Sequence, residues 1–76
     1  MDELLSATSA RLAEDALPEW VIDRAADYML RRYGRAALNR AASRHRILRR
    51  QGDDLAATHW MRVAEAIAER RRTHDA

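Results

Sequence analysis

Three histidines, six hydroxyl side chains, twelve acids and fourteen arginines are the groups in this 76-residue chain that could do chemistry. His45 falls in a run of apolar residues at helical spacing (Leu38, Ala41, Leu48), which predicts a core histidine hydrogen-bonded to a neighbouring side chain. His59, next to Trp60, could approach it. Two histidines without a third ligand make a poor metal site, and the absence of cysteine removes thiolate zinc and disulfides. No metal or other cofactor is expected.

Catalysis has little to stand on. Ser6, Thr8, Ser9, Ser43, Thr58 and Thr73 sit in no nucleophile-elbow context, and no glycine-rich loop could cradle a phosphate. The carboxylates fall on polar faces at ion-pairing distance from arginine. So short a helical chain also leaves little room for a substrate pocket. The sequence therefore reads as a non-enzyme without a small-molecule substrate.

The arginines are distributed unevenly. Residues 1–27 carry seven acids against two arginines, residues 28–52 carry eight arginines and no acid, and residues 53–76 are near balance. An electrostatic function thus belongs to the middle third. All the basic residues are arginine, a preference that suits bidentate contacts and that a GC-rich coding sequence also produces.

Nucleic acid is one partner for such a segment. On a helix-turn-helix template, Gln51-Gly52-Asp53 would be the turn. The reading helix would then open on Asp53 and Asp54, aiming carboxylates at phosphate, and Thr58 would occupy a normally apolar position. After Gly34 the equivalent place holds Arg40. Sequence-specific reading by this motif is not expected. Salt-sensitive, largely non-specific backbone binding through the second helix, with Arg35, Arg40, Arg44, Arg46 and Arg50 as its phosphate-contacting surface, is the alternative that survives.

Protein contact is the leading expectation: a regulator, inhibitor or accessory subunit that docks on a larger protein or self-associates. Trp20 lies off the apolar stripe of its helix, as an exposed anchor or a cap over the preceding segment. Trp20, Arg31, Arg35, Arg46 and Arg50 are the expected partner-binding residues, of the types that favour anchors. Membrane attachment is not expected, because the apolar faces are mostly alanine and too shallow. The acidic opening MDELLSATSA and the lack of cysteine predict a cytoplasmic protein.

The elements that would position these groups are helical. Pro18, Gly34 and Gly52 punctuate the chain, and sixteen alanines favour helix throughout. Helices are predicted over 18–33, 35–51 and 53–72, packed as a small antiparallel three-helix bundle in a single domain spanning 1–76. Leu4, Leu5, Leu12 and Ala16 supply spacing for an extra short N-terminal helix over 3–15, which Ser6, Thr8 and Ser9 oppose. The predicted stripes are Val21, Ile22, Ala25, Ala26, Met29 and Tyr33; then Ala37, Leu38, Ala41, His45 and Leu48; then Ala56, Trp60, Val63, Ala64 and Ile67. Trp60, Leu38, Met29 and Ile67 should fill the centre. Asp27 and Arg31, one turn apart, should pair.

Overall fold

A computed structural model describes residues 17–75. The helix expected over 3–15 lies outside them. Every regular element among the described residues is helical: α1 spans Glu19–Tyr33, a 3-10 turn spans Gly34–Ala36, α2 spans Ala37–Arg50 and α3 spans Asp54–Asp75. Because α1 passes through the 3-10 turn directly into α2, helical turns run unbroken from 19 to 50. The chain thus forms two continuous helical stretches, the first bent at Gly34, instead of the three separately punctuated rods that the sequence suggests.

Pro18 occupies the N-cap of α1, one position before its expected place, and its carbonyl accepts from the N–H of Val21 at 3.0 Å and of Ile22 at 3.3 Å. At the other end Gly34 adopts φ +55° and donates its N–H to the Leu30 carbonyl. That φ suits a residue without Cβ; it stops the α-helical ladder and redirects the chain. No loop follows, so Arg35 lies in the 3-10 turn and α2 begins only at Ala37.

The bend between α2 and α3 is tighter and better bonded. Gly52 takes φ +80°, its N–H reaches the Arg49 carbonyl at 3.1 Å, and the Asp53 N–H reaches the Leu48 carbonyl at 2.9 Å. These two bonds make a Schellman closure of α2. Asp53 then caps α3, its Oδ1 accepting from the Ala56 N–H at 3.2 Å. One residue beyond a helix stop the next helix is already started, which forces α3 back along α2.

Both other helices pack on α3, while α1 and α2 touch each other least. The core is Ile22, Ala26 and Met29 from α1, Ala37 and Ala41 from α2, and Val63, Ala64 and Ile67 from α3. Ala57 is buried as well, although the predicted stripe ran through Ala56. Among the described residues, five of the nine buried side chains are alanine, so the helices approach closely and Ile67 is the only large side chain there with no exposed surface. Leu38 and Trp60 are half-buried against the core and do not fill its centre. That departure shapes the surface described next.

α1 is also tied to α3 by polar contacts. Arg70 pairs with Asp27 and lies 3.6 Å from Asp23, and Arg62 donates from Nη1 to the Leu17 carbonyl at 2.7 Å. Asp27 therefore pairs across to α3, in place of the Arg31 contact expected within its own helix. The reason is reach: a guanidinium descending from the neighbouring helix bridges two carboxylates a turn apart, which a single in-helix partner cannot do.

A candidate cationic cleft

Contrary to the expectation of little room for a pocket, the bend at Gly34 leaves an open cleft of about 650 Å³ between the end of α1 and the side of α2, with Trp60 of α3 closing its floor. Tyr28, Met29 and Tyr33 come from α1, Ala36 from the turn, and Asn39, Arg40, Ser43, Arg44 and Ile47 from α2. Helical spacing explains the last group. Positions 36, 40, 43, 44 and 47 share the flank beside the buried Ala37–Ala41 stripe, so packing that stripe on α3 turns the flank toward α1.

No acid among the described residues lines the cleft. The Arg40 guanidinium lies 4.5 Å from the Tyr33 ring centroid, the Arg44 guanidinium lies 5.5 Å from that of Trp60, and Arg32 reaches Tyr33 at 6.0 Å from another side. A guanidinium held near an aromatic ring is attracted by the ring's quadrupole, and its N–H groups remain available to a carboxylate or phosphate. Neither Arg40 nor Arg44 has a carboxylate partner among the described residues. Around these cations, Tyr28 is 59% exposed and Ile47 46% exposed. The arrangement can bind an anionic group next to an apolar or planar one. It holds no nucleophile beside a base.

The five residues singled out from sequence are all exposed. Trp20, 63% exposed, opens α1, and Arg31 lies eleven residues later, about 16 Å along the axis. Arg35 is on the 3-10 turn. Arg46 and Arg50 lie one turn apart on α2, and Arg46 donates from Nη2 to Ser43 Oγ at 3.2 Å, which places it at the edge of the cleft. None of the five lines the cleft itself. Arg40, Arg44, Tyr28 and Ile47 do; sequence reasoning placed the two arginines only on a phosphate-contacting surface of the second helix and singled out neither Tyr28 nor Ile47. The available signal was the 40, 44, 47 spacing directly beside the alanine stripe.

The histidines stand apart from this site. His45 is half-buried, and its Nδ1 donates to the Ala57 backbone carbonyl at 2.8 Å, not to a side chain as expected. The bond fastens α2 to the first turns of α3. His59 has a buried Nε2 without a hydrogen-bond partner among the described residues. No three His, Cys, Asp or Glu side chains gather there into a metal-binding group, and none of the described helices is long and apolar enough to cross a membrane.

A second, smaller groove of about 320 Å³ runs on the other flank of α1, against α3. Glu19, Asp23, Glu65 and Glu69 line it together with Arg62 and Arg70. No protein-family model matches this chain, and no curated protein or solved structure resembles it.

Proposed function

We propose that this chain is a small all-helical interaction module that acts as a regulator, inhibitor or accessory subunit by docking an acidic surface of a larger protein or of a second copy. The observation that carries this reading is the pair Arg40 and Arg44, held over Tyr33 and Trp60 without a carboxylate partner among the described residues. Aromatic and arginine side chains flanked by exposed apolar surface are the composition of contact hot spots. Trp20, Arg31, Arg35, Arg46 and Arg50 would serve as surrounding contacts. On this reading the protein is a cytoplasmic non-enzyme and needs no cofactor.

A second reading is favoured by Tyr28. An exposed ring beside cations suits base stacking with phosphate contacts, so single-stranded nucleic acid is the alternative ligand. One titration separates the two. In a Trp20→Phe background, Trp60 emission reports on the cleft while polyglutamate or oligothymidylate is added. Protein docking predicts a polyglutamate response that Arg40→Glu/Arg44→Glu abolishes. A response to oligothymidylate alone, steeply lost with salt, would give the second reading precedence. Silence toward both probes would remove the cleft as an anion site.

A further inference from the structure

Three of the five exposed large apolar side chains, Trp20, Tyr28 and Ile47, lie on only two surfaces, the outer stripe of α1 and the cleft. On that stripe, Trp20, Asp23 and Asp27 follow at i, i+3 and i+7, so one bulky anchor is succeeded by two carboxylates a single turn apart. Asp23 and Asp27 are 51% and 53% exposed; Arg70 engages Oδ1 of each, and Oδ2 of each has no partner among the described residues. In the cleft, Arg40 and Arg44 are likewise a turn apart, so both charged pairs have a spacing of about 6 Å.

The geometry points to a second copy of this chain as an occupant of the cleft: Trp20, Asp23 and Asp27 of one protomer dock against Ile47, Arg44 and Arg40 of the other, respectively. This rests on the reading of the cleft as a docking surface and names its partner. Asp23 lines the acidic groove and Asp27 pairs with Arg70 of the same groove, whereas the cleft lies on the other flank of α1. A two-fold axis running alongside α1 therefore brings each acidic flank onto the opposite cleft, closing the assembly as a dimer instead of an open chain. Two small, partly polar contact patches place it among weak, salt-sensitive dimers.

Sedimentation velocity over a wide concentration range, at low and physiological salt, tests this with the full chain. The wild type should dimerise and dissociate on dilution, more readily in salt. Asp23→Lys, which leaves the Arg70–Asp27 pair in place, and Arg44→Glu should each weaken the dimer about tenfold or more, with unchanged helicity by circular dichroism. An equimolar mixture of those two variants should recover wild-type affinity, because each new charge meets its opposite. Trp20→Ala, on an exposed position, should weaken the dimer as well. A wild type monomeric throughout overturns the inference, as does a dimer indifferent to these changes or a mixture that fails to recover. A monomer whose cleft still binds polyglutamate would sink the dimer alone, whereas loss of that binding would sink the cleft reading beneath it.

Discussion

The two flanks of α1 use their charged groups in opposite ways. In the groove against α3, Arg70 bridges Asp23 and Asp27 and Arg62 holds the Leu17 carbonyl, so both arginines there are engaged within the molecule. In the cleft against α2, Arg40 and Arg44 lean on aromatic rings and meet no acid. The first arrangement fixes how α1 sits on α3. The second leaves guanidinium donors facing solvent, where they add little to stability and are free for a ligand. Charge content alone therefore does not distinguish the two flanks; the presence or absence of a local counter-charge among the described residues does.

The largest expected effect comes from removing what lies beneath both flanks. Ile67→Ala should cost about 3 kcal/mol in chemical denaturation, because a fully buried side chain is lost from a core with few large ones. It should weaken cleft and groove together. Next in size is Gly52→Ala. An added Cβ there meets nothing within 4 Å, so the cost is conformational, about 1–2 kcal/mol for forcing φ +80° on a side chain. That change acts on the α2–α3 bend and should disturb the Trp60–Arg44 side more than the Arg70 side, which amide exchange can resolve.

Arg70→Ala sharpens the contrast directly. Its partners are half-exposed, so the loss should be about 1 kcal/mol and should shrink in high salt. Arg44→Ala should change stability least, by about 0.5 kcal/mol, while abolishing polyglutamate binding. If Arg44→Ala instead proved as destabilising as Arg70→Ala, the two flanks would be equally structural and the contrast would collapse.

Much of the fold was legible in the chain. Alanine content and period gave helix, and Gly34 and Gly52 fall at helix ends because the chain needs positive φ there. Asp53 was readable as a cap. Legibility failed where tertiary packing decides. Nothing in the local sequence shows that Arg70 outcompetes Arg31 for Asp27, since Arg70 and Asp27 are forty-three residues apart in sequence. Nor does it show that Trp60 and Leu38 stay half-buried. An alanine-lined contact is too narrow to admit such large side chains at its centre, so they are displaced to its edge. The cleft was missed for the same reason: arginines spaced around the whole of α2 look alike until packing on α3 selects the flank of Arg40 and Arg44. The exposure of Trp20 was anticipated as one of two outcomes, and 63% of its surface is open.

The alanine core has a thermal consequence. Methyl groups bury little apolar area per residue, and the heat capacity released on unfolding scales with that area. The chain should therefore fall below the usual increment of about 12–15 cal/mol/K per residue, with a stability curve that is broad and low. Cooling and warming would then change the folded population gently, and occupancy of the cleft, which adds buried surface to the native state alone, would move it more than temperature does.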